Sequence, residues 1–371
     1  EVDISNKGIP SCTIVGLADK AIDESKERIA AALKNSGLAK IKQKKIVVSL
    51  SPANLKKEGP LFDLPIAIGM LLADSENELS FNTTNKLFVG ELSLDGGIKK
   101  ISGALSVVYG AKQSGYTEVY LPKENMNEAH LIEEVTVYGV SHITELVQHL
   151  IQENAEIPNP KLMITPSLEP KVDSISRPNT TDFSHVIEQK AVKRVLEIAA
   201  AGGHNVAMYG PPGTGKTMLA QAFCTILPEL SKEKQIESTM IHSCVGATGG
   251  TILSPPLRAP HHTSSYVSVI GGSADPRPGE ITLAHNGVLF LDEFTEFDKR
   301  VLESLREPLE ENKIRIARSK ASVTFPADFI LLAALNPPTE VYRSGSLVTP
   351  ADERRFRRKL SYRSLLGYTT R

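Results

Sequence analysis

Apolar and polar positions along the chain change period several times, and each change marks an expected element. Over residues 19–36, Ile22, Ser25, Ile29 and Leu33 share one helical face and Gly37 supplies a stop, which predicts an amphipathic helix. Short apolar runs at 13–16, 45–50, 86–93, 118–121 and 135–138 predict strands, the run at 86–93 leading into a turn at Asp95-Gly96-Gly97. Apolar stretches at 64–73 and 101–113 predict further helices. This alternation over residues 1–150 predicts an α/β or α+β domain. Between 151 and 181 the pattern lapses. Pro158, Pro160, Pro166, Pro170 and Pro178 fall among Ser, Thr, Asn and charged residues, as in an interdomain linker. A second domain is expected over 182–371, consistent with a chain of 371 residues holding about two domains.

Composition narrows the class only slightly. A net charge of −1 gives no global attraction for polyanions, so a nucleic-acid surface must be a local patch. The three cysteines, Cys12, Cys224 and Cys244, have no paired spacing, which argues against a disulfide framework or a Cys-rich metal site and for a reducing, cytoplasmic compartment. No apolar run reaches membrane-spanning length, and no signal peptide is visible, so no membrane partner is expected. The first residue is Glu1 rather than Met, which suggests a fragment or a missing start.

The strongest chemistry lies at Gly210-Pro211-Pro212-Gly213-Thr214-Gly215-Lys216-Thr217, a match to the phosphate-binding loop G-x-x-x-x-G-K-[ST]. Its glycines let backbone N–H groups face one anion, Lys216 can reach the β/γ-phosphates, and the Thr217 hydroxyl can ligate Mg²⁺. A short strand at 205–209 precedes it and a helix from Thr217 follows, so the helix N-terminus, with Met218 in its first turn, is expected to complete an ATP site.

Two further apolar runs supply hydrolytic groups. Residues 287–291 lead into Asp292 and Glu293, and such an acidic strand is expected beside the loop strand. Asp292 is assigned to Mg²⁺, through water, and Glu293 to activation of the attacking water. Residues 329–335 lead to Asn336, which can orient that water, or serve as a plain turn residue before Pro337-Pro338. Loop, acidic strand and terminal Asn, in that order, form the AAA+ arrangement, with Lys216, Glu293 and Asn336 as the catalytic candidates.

Residues 183–205, 257–263 and 276–287 closely resemble the magnesium-chelatase-like AAA+ ATPases of the YifB/ComM family, and 11–17, 48–60, 62–67 and 90–96 resemble the domain that precedes the ATPase there. The recognisable family segments reach about Pro337. The resemblance implies a Lon-protease-like, ribosomal-S5-related α+β domain followed by an AAA+ α/β/α domain. Leu61 stands where a Lon-type nucleophilic Ser is expected and Leu105 where its Lys partner is expected, so the first domain reads as non-catalytic. The resemblance also implies ATP and Mg²⁺ as cofactors, a homo-oligomeric ring, a hexamer in this family, and, in the ComM branch, branch migration of recombination intermediates during natural transformation.

Three features of the C-terminal residues depart from that family. Residues 336–343 lack the expected Cys-Pro-Cys-Gly stretch, the Leu-Leu-Asp-Arg segment carrying an arginine finger is replaced, and the helical lid is missing. Arg354, Arg355, Arg357, Arg358 and Arg363 crowd the terminus as a substitute finger, a DNA tail, or the residue of a truncated or frame-shifted gene. Two other classes of function therefore stay open: a chelatase-type ATPase remodelling a protein partner, and a module that binds ATP with little turnover.

For DNA, residues 313–325 alternate like a hairpin whose turn carries Arg318 and Lys320, either pore-facing cations or a solvated tip. Lys40, Lys42, Lys44 and Lys45 form a second patch with the same two readings. His261 and His262, adjacent on an extended segment, are expected to point to opposite sides and to serve structure rather than a metal. Arg258 and Arg277 are open between a neighbour's nucleotide and the surface.

Overall fold

The structure is a computed structural model that describes residues 1–5, 9–17, 19–38, 44–52, 57, 59–74, 79–153, 155, 158–165, 181–246, 250–272, 277–317 and 322–336. It is mixed α/β with parallel sheets, and the chain divides into two compact units, Glu1–Asp173 with Gly246–Thr251 and Ser174–Val245 with Ile252–Arg371. Among the described residues no helix is long and apolar enough to cross a membrane.

In the first unit, strand Lys45–Ser49 lies between Val2–Ser5, antiparallel, and Ser11–Val15, parallel. The amphipathic helix runs Lys20–Asn35, with Asp19 as its cap accepting from the Ile22 N–H at 2.8 Å. A second sheet has Glu118–Pro122 between Lys86–Phe88 and Thr136–Val140, all parallel. Ile29, Leu33, Ile46, Leu64, Leu71 and Leu146 belong to one continuous core. Within it Asp63 is fully buried, and its carboxylate accepts from Arg28 Nε at 2.9 Å, Arg28 Nη2 at 3.2 Å and the Leu92 N–H at 3.2 Å. A buried carboxylate is tolerated only when so partnered.

Two expected elements differ. The run 86–93 is not one strand: Lys86–Phe88 and Glu91–Leu92 belong to different sheets. Between them Gly90 gives its N–H to Leu61 O and takes the Leu64 N–H on its own carbonyl, so its backbone is committed elsewhere. The helix expected from 101 starts at Ala104. Asn125 takes both backbone groups of Ile101, at 3.0 and 2.8 Å, and Gly103 is left-handed at φ 76°, which ends any helical run through it.

The second unit is built on a parallel sheet in the order Leu257–Arg258, Gly287–Leu291, Phe329–Leu335, Val206–Tyr209. The acidic strand therefore does not lie beside the loop strand, contrary to expectation; Phe329–Leu335 separates them. Burial accounts for the order. The last five residues of Phe329–Leu335 and all of Gly287–Leu291 are buried, as strands covered on both faces require. Val206–Tyr209 buries only Met208, leaves Ala207 and Tyr209 exposed, and takes an edge. Lys313–Ala317 and Ser322–Pro326 pair antiparallel as the anticipated hairpin. Arg318 and Lys320 in its turn lie outside the described residues, as do Lys40, Lys42 and the terminal arginines.

Candidate phosphate-loop site

Three strands of the second unit end at one edge of its sheet, and the candidate residues follow those ends. After Tyr209, paired with Leu335, the Gly210 N–H donates to Leu335 O at 3.2 Å. The loop then turns through Gly213 and Gly215 at φ 81° and 80°. A Cβ at either glycine would meet nothing within 4 Å, so glycine is needed there for backbone conformation rather than for space. Gly215 caps the ten-residue helix Lys216–Thr225, whose first N–H groups face the loop. Thr214 Oγ1 donates to Pro211 O at 2.8 Å and closes the turn.

Lys216 Nζ donates to Gly210 O at 2.7 Å, Pro211 O at 2.9 Å and Asn336 Oδ1 at 3.0 Å, which uses the three protons of the ammonium. Thr217 Oγ1 donates to Asp292 Oδ2 at 2.8 Å, and the other carboxylate oxygen of Asp292 accepts from the Glu293 N–H at 2.9 Å. Glu293 is left-handed at φ 50°, and its Oε2 meets His262 Nδ1 at 3.0 Å. The structure thus brings Lys216 to Asn336 and Thr217 to Asp292 and Glu293, two sets of contacts that start from adjacent residues of the helix. Pro212 and Met218 are exposed, and Met218 lies in the first turn of the helix.

A cavity of about 450 Å³ adjoins the loop, walled by Gln189, Val192, Val195, Val206, Tyr209 and Lys216 among others. Gln189 Nε2 donates to Thr214 O at 3.3 Å and ties this wall to the loop. The donor set fits a nucleoside triphosphate with Mg²⁺: a helix N-terminus and a lysine for the anion, and hard hydroxyl and carboxylate oxygens for the cation.

The histidine pair is arranged differently from expectation. The rings of His261 and His262 lie against each other, centroids 4.2 Å apart and tilted by 34°, instead of pointing to opposite sides. The chain turns here, with the Ser264 N–H donating to His261 O at 2.9 Å, so the alternation of an extended strand does not apply. The partnership of His262 with Glu293 was not foreseen. No local sequence signal announces it: Leu257–Arg258 pairs with Val288–Leu289 of the acidic strand, and only that long-range pairing brings the two segments together. Among the described residues no group of three or more His, Cys, Asp or Glu could hold a metal ion by itself. Arg258 donates through Nε and Nη2 to both oxygens of Glu280, at 2.6 and 2.8 Å, while Arg277 is exposed.

A parallel sheet whose edge strand enters a glycine loop and helix, with acids at the end of another strand, defines a phosphate-loop protein. Comparison with known proteins makes the assignment specific. The family described as "Magnesium chelatase, subunit ChlI" matches residues 182–366, and "Subunit ChlI of Mg-chelatase" matches 1–125. Similar proteins include the uncharacterized protein YifB of Escherichia coli (strain K12), 42% identical over 97% of this chain and 69% of its own length. The competence protein ComM of Haemophilus influenzae is 42% identical over 92% of this chain and 66% of its own length. Lon protease 2 of Bacillus subtilis is 30% identical over 36% of this chain and 26% of its own length. The chain belongs to the YifB/ComM family of magnesium-chelatase-like AAA+ proteins. It spans about two thirds of the length of YifB and ComM. The family match also continues past Pro337, to residue 366.

Proposed function

We propose that the second unit binds and hydrolyses ATP with Mg²⁺, and that this chain forms part of a homo-oligomeric ring, a hexamer, that acts on DNA. The observation that carries the ATPase reading is the convergence of Lys216 with Asn336 and of Thr217 with Asp292 at the sheet edge.

The loop N–H groups and Lys216 hold the phosphates, and Thr217 and Asp292 hold the cation. Bound MgATP supplies an activated phosphoryl group whose charge the cation neutralises. Glu293 accepts the proton of the attacking water on its carboxylate, a role that contributes about 10²- to 10⁴-fold in general. Asn336, bonded to Lys216, orients that water. Gly210, Pro211, Pro212, Gly213, Thr214, Gly215 and Met218 complete the loop and first helical turn around the nucleotide.

The DNA reading, branch migration of recombination intermediates, takes its support from the competence protein among the relatives. Arg318 and Lys320 are its candidate contacts and the cytoplasm its compartment. We infer that residues 1–150 form a Lon-protease-like domain without peptidase activity, joined through 151–181 to the ATPase domain at 182–371. The similarity to Lon protease 2 supports the relationship, and Leu105, fully buried, cannot act as a lysine base. The name of the matched family favours one alternative, a chelatase-type ATPase acting on a protein partner.

Steady-state ATP hydrolysis, measured with and without a four-way DNA junction, tests the proposal. Turnover that depends on Glu293 and rises with the junction is expected. Turnover stimulated only by a protein partner favours the chelatase-type reading. ATP binding without turnover in either the parent or Glu293→Gln reduces the chain to a binding module.

A further inference from the structure

In the first unit, residues 158–164 fold back along helix Ile143–Glu153 and are pinned to it by two of its side chains. Gln152 Oε1 accepts the Asn159 N–H at 2.8 Å, and one turn earlier His149 Nδ1 accepts the Ile164 N–H at 3.1 Å. Between them the short turn Pro160–Leu162 closes on Asn159, whose Oδ1 and O take the N–H groups of Lys161 and Leu162 at 3.1 and 3.0 Å. Ile164 packs partly buried against the core, whereas Asn159, Pro160, Lys161 and Leu162 are exposed. The buried anchor of this strap is therefore a histidine ring, 1% exposed.

The bond to Ile164 fixes the state of that ring. A backbone N–H only donates, so Nδ1 carries a lone pair and Nε2 the proton. The other side of the ring agrees. The Tyr120 hydroxyl lies 3.2 Å from His149 Nε2 and gives its own proton to Glu118 Oε2 at 2.8 Å, so it accepts from Nε2. Burial pushes the Tyr120 phenol up, which keeps that proton on the oxygen. Lys86 Nζ closes the far end against Glu118, the Tyr120 hydroxyl at 3.3 Å and Glu153 at 3.1 Å. Donation thus runs one way, from the Ile164 N–H through His149 and Tyr120 to the Glu118 carboxylate.

A second proton on the ring breaks this order. It makes Nδ1 a donor facing another donor, and the strap loses its acceptor. We propose that His149 is a pH-sensitive latch, its neutral ring holding residues 158–164 on helix Ile143–Glu153 and its protonated ring releasing them.

The groups around the ring set the direction. Glu153 and Glu145 face it from its own helix, and Lys86 and Glu118 from two strands of the sheet. Tyr120 and Tyr138 cover it with uncharged rings, and Lys161, the charged side chain of the strap, is exposed. Burial outweighs the pull of the carboxylates and holds the imidazole below its ordinary pKa. Release wets the ring and removes that restraint. The docked state therefore binds fewer protons than the released one, so the strap is fully held above about pH 6.5 and opens below it. Opening lengthens the connection to the second unit, which begins at Ser174, by roughly 20 Å at full extension.

Hydrogen exchange of the full chain at pH 8, 7, 6 and 5.5, read as protection relative to the unstructured rate at each pH, tests the latch. Protection of the peptide bearing Ile164 should stay constant from pH 8 to 7 and then fall by up to about tenfold per pH unit. Strand Thr136–Val140 should stay at least about tenfold better protected throughout, which makes the opening local. His149→Asn offers Oδ1 near the place of Nδ1 without titrating, and its strap protection should not fall. Gln152→Ala, outside the buried chain of bonds, should weaken the strap at every pH and keep the fall. ¹⁵N-histidine spectra at pH 8, with His149 identified by its loss in His149→Asn, should show a bare Nδ1 and a protonated Nε2. A protonated Nδ1 at pH 8 overturns the inference. So does strap protection that is flat down to pH 5.5 in the parent or in Gln152→Ala, a fall that persists in His149→Asn, or a strap that opens only together with Thr136–Val140.

Discussion

Lys216 Nζ donates to Asn336 Oδ1 at 3.0 Å, although 120 residues separate the two in sequence. The contact follows from sheet order. Asn336 ends the strand that lies directly beside the loop strand, with Leu335 opposite Tyr209, so the two chain ends leave the sheet side by side. The acidic strand is one place farther out, and Thr217, one residue along the helix, reaches its Asp292 instead.

Lys216→Ala is expected to abolish tight ATP binding without unfolding the chain. The ammonium's partners are two loop carbonyls and one side chain at the sheet edge, groups that water can replace. The loss of stability should stay within about 1–2 kcal/mol. ATP affinity should fall by roughly 10²-fold or more, as for loss of a charge-assisted contact to phosphate. Nucleotide titration paired with thermal melting checks this. A large drop in the melting midpoint, alongside weak ATP binding by the parent, contradicts the assignment of the site.

Asn336→Ala should separate chemistry from binding. If Asn336 orients the attacking water, kcat falls by about 10- to 100-fold while KM changes little. Asn336→Asp should be at least as damaging, because it sets a second carboxylate near the reacting phosphate, although it keeps the acceptor for Lys216. Single-turnover kinetics with both variants reads the difference. A rise in KM with kcat intact would make Asn336 a binding group only.

Local pattern made much of this unit legible. Phe329–Leu335 stands out as an unbroken apolar run that stops at Asn336-Pro337, and the loop shows itself because an anion-binding turn needs its glycines where they are. Pairing between distant strands leaves no local trace. That is why the place of Phe329–Leu335 between the loop and acidic strands was not foreseen, nor the contact of His262 with Glu293. The break at Gly90 was hidden for a related reason: its hydrogen bonds go to Leu61 and Leu64, and nothing in residues 86–93 announces partners so far away.

Arg258 illustrates a residue whose role the pattern left open. Its two bonds to Glu280 form a bidentate fork within the same unit, with the side chains 33% and 20% exposed. Partial exposure screens such a pair. Arg258→Ala should therefore destabilise the fold by about 1–2 kcal/mol. Arg258→Lys should recover little of that, because an ammonium cannot reproduce the fork. Neither variant should alter KM for ATP. Chemical denaturation and ATPase assays on both variants check this, and a change in KM without destabilisation would restore the reading of Arg258 as a nucleotide contact.

Stability should decline on mild acidification, and buried histidines give the sign. His149, His242 and His285 are 1%, 7% and 6% exposed, and burial holds each pKa below its ordinary value. In the unfolded chain these groups take up protons near pH 6.5, whereas in the fold they resist until lower pH. The unfolded state therefore binds more protons across that window, so stability is full above it and falls as pH drops from about 6.5 toward the folded values. The slope approaches about 1.4 kcal/mol per pH unit for each such group. Neighbouring carboxylates oppose the shift without reversing it: Glu153 faces His149, and Glu237 faces His285. Denaturant melts at pH 8, 7, 6 and 5.5 should show a plateau followed by a decline. His242→Gln can keep the 2.9 Å bond to Leu283 O through its amide while removing the titrating ring, so its decline should be shallower than the parent's. An equal decline would remove His242 from the account, and a stability that rises on acidification through this window would contradict the sign for all three.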